Sequence, residues 1–171
     1  MRYDGIVIGG GPAGMFAAIT ASNNGQKVLL LEQNDRLGKK LLITGKGRCN
    51  VTNFCDSGEV LKNIPRNGRF LYSALDAFPP QRIMDYLEAH GCPLKIERGN
   101  RVFPVSDRSQ SVLDCLKSEL RRSGVTIQTA KVKEVIAAEG KVTAVKTDQE
   151  TISCGWVILA TGGVSYPATG S

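Results

Sequence analysis

The sequence has 171 residues, 42% apolar and 22% charged, an ordinary globular composition with enough chain for one sizeable core. No apolar run approaches the roughly 18 residues that span a bilayer, and Met1 leads almost at once into an apolar stretch without room for a signal peptide, so a cytoplasmic location and no membrane partner are expected. The net charge of +6 is local, because residues 33–72 hold eight Lys or Arg against three acids. The remainder is near neutral and lacks helix-turn-helix, zinc-finger or RNP patterning, so no nucleic-acid partner is expected.

In chain order, "YDGIVIGG" is a short apolar run ending in glycines and reads as a buried parallel strand. "PAGMFAAITASNNG" has helix composition with Gly25 at the C-cap position, and "KVLLLE" is a second buried strand, completing a βαβ unit. Residues 33–72 are loop-rich and basic. A helix is predicted over 80–90, with Ile83, Tyr86 and Leu87 on one face and Gly91 as its stop. "ERGNRVFPVSD" reads as a strand and turn, after which Asp107 and Gln110 resemble a capping box for a helix over 108–122 with the stripe Val112, Leu113, Leu116 and Leu120. Residues 125–163 alternate apolar and polar positions. Turns at Glu139–Gly140 and Thr147–Glu150 predict a three-strand meander, followed by the buried strand "WVILA", with Trp156 in the core.

Five cysteines (Cys49, Cys55, Cys92, Cys115 and Cys154) are odd in number and never spaced CxxC, so reduced thiols are expected and no metal site. The only histidine, His90, falls at a helix end and gives no support to a His-rich metal site or a Ser-His-Asp triad.

The chemistry starts at "GGGPAG", which contains Gly9-x-Gly11-x-x-Gly14 between a strand and a helix. Gly9 permits the tight turn, Gly11 lets a pyrophosphate reach the backbone, and Gly14 allows close helix–strand packing; Pro12 and Ala13 open the helix whose positive end faces the phosphates. Glu32 ends the second strand 18 residues beyond Gly14, where an acid accepts ribose hydroxyls and repels a 2′-phosphate, with Gln33 beside it. Ala18, Gly25, Val28, Glu32 and Gly38 then follow at the spacings of the long fingerprint GxGxxGxxxAxxxxxxGxxVxxxExxxxxGG, with Lys39 in place of the last glycine.

In this the sequence resembles the two-dinucleotide-binding-domain flavoproteins, and the late "VILATGG", with Ala160, Thr161 and Gly162, looks like their second signature. The resemblance implies an α/β, Rossmann-like FAD-binding domain of the glutathione-reductase type with a three-stranded β-meander, whose first βαβ unit holds the ADP half of FAD. Val132 would offer backbone groups to adenine. "GKKLLITGKGRCNVTN", "RVFPVSDRSQSVLD" and "ILATGGVSYPATGS" are closer still to the FAD-dependent family that includes aminoacetone oxidase and a bile-acid dehydro-reductase. Its members run more than twice as long, so residues 1–171 are expected to be the N-terminal portion of one FAD-binding domain, without the substrate domain and the returning FAD segment. Such a portion alone should hold FAD weakly and not turn over.

The basic stretch 38–53 admits several readings. It departs from a Walker A loop, since six residues separate Gly38 from Gly45 and glycine follows Lys46. "NVT" is formally a glycosylation sequon, Cys49 and Cys55 a wide redox pair, and the cations a nucleic-acid patch, although no aromatic interleaves them. A solvated basic loop is the plain alternative. The favoured reading is a cofactor cradle: Thr44, Gly45 and Gly47 as an anion nest, Lys39, Lys40 or Arg48 as added charge near pyrophosphate or flavin, and Cys49 and Asn50 as flavin neighbours. Phe103, Pro104, Asp107, Arg108 and Ser109 form a second family-matching cluster.

The expected function is hydride transfer between a small organic substrate and flavin, with oxygen or NAD(P)H as the diffusible partner and no catalytic residue assigned. An NAD-dependent dehydrogenase without flavin and a flavin-assisted RNA-modifying protein are the alternatives.

Overall fold

The computed structural model describes residues 2–163; Met1 and the last part of the "ILATGGVSYPATGS" motif, residues 164–171, lie outside the described residues. In chain order the elements are β1 (Gly5–Ile8), α1 (Pro12–Asn23), β2 (Val28–Glu32), α2 (Lys39–Ile43), a 3-10 turn (Thr44–Gly47), β3 (Thr52–Asn53) and α3 (Ser57–Lys62). A second 3-10 turn (Gly68–Leu71), α4 (Tyr72–Ala77), α5 (Pro80–Ala89), β4 (Leu94–Glu97), β5 (Arg101–Pro104) and α6 (Ser109–Arg122) follow. The chain then runs through β6 (Thr126–Thr129), β7 (Val132–Ala138), β8 (Lys141–Thr147), β9 (Thr151–Ser153) and β10 (Trp156–Leu159). It divides into two compact units, Met1–Leu41 with Leu116–Ser171, and Leu42–Cys115.

The first unit is built on a parallel sheet in the order β10-β1-β2-β6, with Gly5 opposite both Val28 and Trp156. β1 and β2 are buried along their whole length, as a sheet covered on both faces requires. Ile6, Ile8, Leu29 and Leu31 point to one side and pack with Ala130, Val145, Ile152 and Cys154. α1 packs against β1 and β2 through Met15, Ala18 and Ile19, and Gly25, at φ 81, closes it with its N–H donating to Ser22 O at 2.9 Å.

The run 125–163 divides differently from its alternation pattern. Thr126–Thr129 joins the parallel sheet beside β2, and the meander β7-β8-β9 begins only at Val132. Trp156 is half-buried, not a core residue: its ring occupies the space a Gly5 side chain would fill, and its Nε1 donates to Gln26 Oε1 at 3.3 Å.

The second unit holds the antiparallel sheet β3-β5-β4 and the short helices. β4, unmarked in the sequence reading, forms a hairpin with β5 through Gly99 and Asn100, both in the left-handed region. α5 buries Met84 and Leu87 while Ile83 and Tyr86 are half-buried, so its inner face is rotated from the expected one. His90 ends it, with Nδ1 2.7 Å from Tyr86 O and its ring stacked on Tyr86. The segment expected to be loop carries helices of only five or six residues, too short to show a period. Val112, Leu113, Leu116 and Leu120 are all buried along α6.

Candidate functional site: a dinucleotide cradle at the mouth of the first helix

The carboxyl ends of β1, β2 and β10 meet the N-terminus of α1 around a cavity of about 360 Å³, within the range of about 300–1,000 Å³ usual for small-ligand sites. Its wall includes Gly9, Gly11, Pro12 and Ala13 from the turn, Glu32 and Gln33 after β2, Lys39 and Lys40 from α2, Val132 at the start of β7, and Ala160, Thr161 and Gly162 after β10. All belong to the first unit.

Each glycine of the turn does a separate job. Gly9 sits at φ 109, where a Cβ would strike the Ala160 carbonyl. A Cβ on Gly14 would strike Gly9 O, so Gly14 lies behind the cavity wall and lets α1 approach the turn. Gly11 differs, since nothing lies within 4 Å of the position its Cβ would take. Gly11 is also the N-cap of α1 and supplies no side-chain cap, and Pro12 follows. The first turn of a 12-residue helix therefore presents uncapped backbone N–H groups and the positive end of its dipole to an open space.

Glu32 is buried and does more than face the cavity. Oε2 accepts the Gly10 N–H at 2.7 Å, and Oε1 accepts the backbone N–H and side-chain amide of Asn34 at 2.8 and 2.7 Å. Lys39 Nζ in turn donates to Asn34 Oδ1 at 3.2 Å, and Gly38 N–H donates to Gly10 O at 2.9 Å. The residue predicted to receive a ribose is thus also the staple of the glycine turn. The two Asn34 donors fill Oε1, while Oε2 keeps a second lone pair with which it can accept a ribose hydroxyl.

Thr44, Gly45, Gly47, Arg48, Cys49 and Asn50 lie in the second unit. Their backbone is left-handed at Gly45, Lys46, Gly47 and Cys49, and the Arg48 and Cys49 N–H groups close the loop onto Gly45 O and Thr44 O, at 3.2 and 3.0 Å. Arg48 is already neutralised. Its Nε donates to Asp107 Oδ1 at 2.8 Å, its Nη2 meets both Glu97 and Asp107, and its guanidinium lies 4.2 Å over the Phe103 ring. Lys95 Nζ binds the other Asp107 oxygen at 2.6 Å.

Asp107 is therefore part of a four-charge network, and at φ 55 its carboxylate is spent on Lys95 and Arg48, not on the α6 backbone as the capping-box reading had it. Hydrogen bonds from Arg48, and less from Lys95, hold the Glu97 carboxyl below its usual range; for Asp107 the order is Lys95, then Arg48. Burial pushes the Cys49 thiol up, partly offset by a hydrogen bond with Thr44. The Asn50 amide, oriented to donate, reaches Thr52 O and Val102 O at 3.1 and 3.3 Å and ties the loop to its sheet. Of the second family-matching cluster, Phe103, Pro104 and Ser109 are buried and Ser109 Oγ donates to Leu42 O at 3.0 Å, while Arg108 is exposed.

Sequence reasoning missed Ala130 and Lys133–Val135 as cavity residues. Their signal is topological: β6 runs beside β2, so the link into β7 must pass the same strand ends.

A parallel sheet with a glycine turn at a helix mouth and an acid at the next strand end defines a Rossmann-like, FAD-binding domain of the flavoprotein oxidoreductase class. The chain belongs to the family described as HI0933-like protein Rossmann domain, which matches residues 3–171. It is 33% identical to the ribosomal RNA dihydrouridine synthase of Escherichia coli K12 over 99% of its own length and 42% of that protein's. It is 36% identical to the 3-dehydro-bile acid delta(4,6)-reductase of Clostridium scindens over 96% of its own length and 40% of that protein's. The chain thus spans about two fifths of these relatives. Among solved structures, the open conformation of a flavocytochrome c3 fumarate reductase superposes with a TM-score of 0.64 at 20% identity, over 95% of this chain and 34% of that one, a likeness of fold. Among the described residues no helix is long and apolar enough to cross a membrane, and no cluster of His, Cys, Asp and Glu could hold a metal ion.

The residues present fit the dinucleotide. The uncapped α1 turn matches a diphosphate, the open space at Gly11 matches its close approach, and the Glu32 carboxylate lines the same cavity.

Proposed function

We propose that this chain is the cofactor-binding part of a flavin-dependent reductase that saturates a carbon–carbon double bond conjugated to a carbonyl. One observation carries the reading. The two relatives at 33% and 36% identity are named for reactions of that one type, saturation of a uracil ring in RNA and of a delta(4,6) system in a 3-dehydro bile acid.

In this reading the α1 N–H groups and the Gly9–Gly11 backbone bind the diphosphate, Glu32 orients the ribose, and the Val132 backbone meets adenine. Lys39 and Lys40 add positive charge along the same wall, and Ala160–Gly162 shape its far side. Thr44, Gly45, Gly47, Arg48, Cys49 and Asn50, in the second unit, are the proposed flavin neighbours, with Arg48 acting through its ion-pair network and not as a free charge. Bound flavin supplies hydride transfer, and the protein's part is to position and polarise. NAD(P)H is the diffusible donor, oxygen a competing acceptor, and the overall change adds one hydride and one proton across the double bond. A nicotinamide-only dehydrogenase is not favoured, given the family.

The test uses the full-length protein loaded with FAD under anaerobic conditions. NADH or NADPH should bleach the flavin, and a conjugated steroid enone or a uridine-containing RNA should restore its colour and gain two hydrogens by mass. Reduced flavin that oxygen reoxidises and no conjugated alkene does would refute the reading.

A further inference from the structure

Outside the cradle, the second unit exposes aromatic rings beside unbalanced charge. Among the described large apolar side chains that remain exposed, Phe70 is the most exposed, at 87%, and Tyr72, two residues on, is exposed at 64%. Residues 64–75 contain Arg66 and Arg69 and no acid. Neither arginine forms an ion pair among the described residues, whereas Lys62 is matched by Glu59 at 3.4 Å. The backbone that carries them is fixed. Asn67, at φ 55, turns the chain; the Phe70 N–H donates to Asn67 O at 2.9 Å; and a Cβ on Gly68 would lie 3.1 Å from Leu61 O, so the turn sits close on α3. Ser57 Oγ then holds α4 through Leu75 O at 2.9 Å.

An ordered turn that leaves two aromatic rings in water directly after two arginines, neither ion-paired among the described residues, is a surface built for contact. Aromatic faces that stack unpaired bases, with guanidinium groups for phosphates, are the elements of single-strand recognition. A second copy of this chain fits poorly, because a two-fold contact would bring four unmatched arginines together. An acidic protein segment would satisfy the arginines without using both ring faces. Residues 38–53 place no aromatic among their cations, whereas Arg66, Arg69, Phe70 and Tyr72 bring two cations and two aromatics within seven residues.

We propose that the Arg66–Tyr72 surface binds single-stranded RNA by stacking bases on Phe70 and Tyr72 and pairing phosphates with Arg66 and Arg69. This goes beyond the reductase reading and is tested without turnover, so either can fail alone.

The experiment titrates a short labelled oligouridine into the protein, followed by fluorescence anisotropy over a range of salt, with circular dichroism to check folding. Phe70→Ala and Tyr72→Ala should each weaken binding about 5- to 100-fold, and Phe70→Leu and Tyr72→Leu, which keep apolar bulk, should weaken it too. Arg66→Gln with Arg69→Gln should flatten the slope of log affinity against log salt by about 1.4, at roughly 0.7 per phosphate. Lys117→Gln with Arg121→Gln, the same charge loss from exposed positions on α6, should leave the slope unchanged. No salt-dependent binding, wild-type affinity in the aromatic variants, an equal loss in the α6 control, or duplex bound as tightly as single strand would each overturn the proposal.

Discussion

Replacing Glu32 by alanine removes three accepted hydrogen bonds at once: Gly10 N–H at 2.7 Å and the two Asn34 donors at 2.8 and 2.7 Å. Gly10 is buried, so its N–H loses its acceptor with no water in exchange, at about 1–3 kcal/mol. Asn34 is half-buried and recovers part of its loss from solvent, leaving about 0.5–1.5 kcal/mol. The sum, about 2–4 kcal/mol, lowers the melting temperature by roughly 4–16 °C for a chain of this size. A second effect should be separable. At a temperature where both proteins are folded, loss of the ribose acceptor should weaken ADP binding by at least about 10-fold, since hydrogen bonds to a charged group contribute about 1.5–3 kcal/mol. Thermal melts followed by circular dichroism, and ADP titration by calorimetry, measure the two. An unchanged melting temperature would refute the staple, and wild-type ADP affinity would refute the ribose role.

The glycines of the turn should split fold from binding. Gly11→Val should melt as wild type and lose ADP or FAD binding, because its side chain enters the open cavity, whereas Gly14→Ala should be destabilised by about 1–3 kcal/mol or more, because its Cβ meets Gly9 O. Melts and ligand titrations of the two variants would contradict this if they behaved alike. The Glu97 and Asp107 carboxyls are held below their usual values, so their contribution is present above about pH 4 and disappears as pH falls through the lowered values. An acid titration should thus show a salt-sensitive loss of stability below about pH 4 that Asp107→Asn shifts or removes, and an identical profile in that variant would count against the network. Cys49, Cys92, Cys115 and Cys154 are buried and Cys55 is half-buried, so mass-mapped alkylation of the native protein should label Cys55 first. Burial, then Asp56 and Glu59, raises the Cys55 thiol as well, so labelling should accelerate with pH; earlier labelling of Cys49 would mean the loop opens.

Much of the first unit was legible because its signals are local. A glycine turn between two apolar runs specifies its own geometry, and Glu139–Gly140, both left-handed, mark the hairpin between β7 and β8. α5 and α6 are long enough for apolar spacing to register. Residues 33–72 were not legible, because helices shorter than two turns carry no period and owe their form to contacts. β4, with four residues, was too short to separate from a loop until β5 supplied its partner.

By itself the sequence determined the βαβ core, the glycine turn, the acid after β2 and the meander, because each is set by neighbours a few residues apart. Only the tertiary structure decided what the charges do. Arg48 looked like a ligand for an anion until Glu97 and Asp107, 49 and 59 residues away, were brought onto it; Asp107 looked like a helix cap until Lys95 claimed it; Arg66 and Arg69 looked like part of one basic stretch and form no ion pair among the described residues. Charge acts through distance, and in a folded chain the nearest opposite charge is chosen by topology, which spacing along the sequence does not reveal.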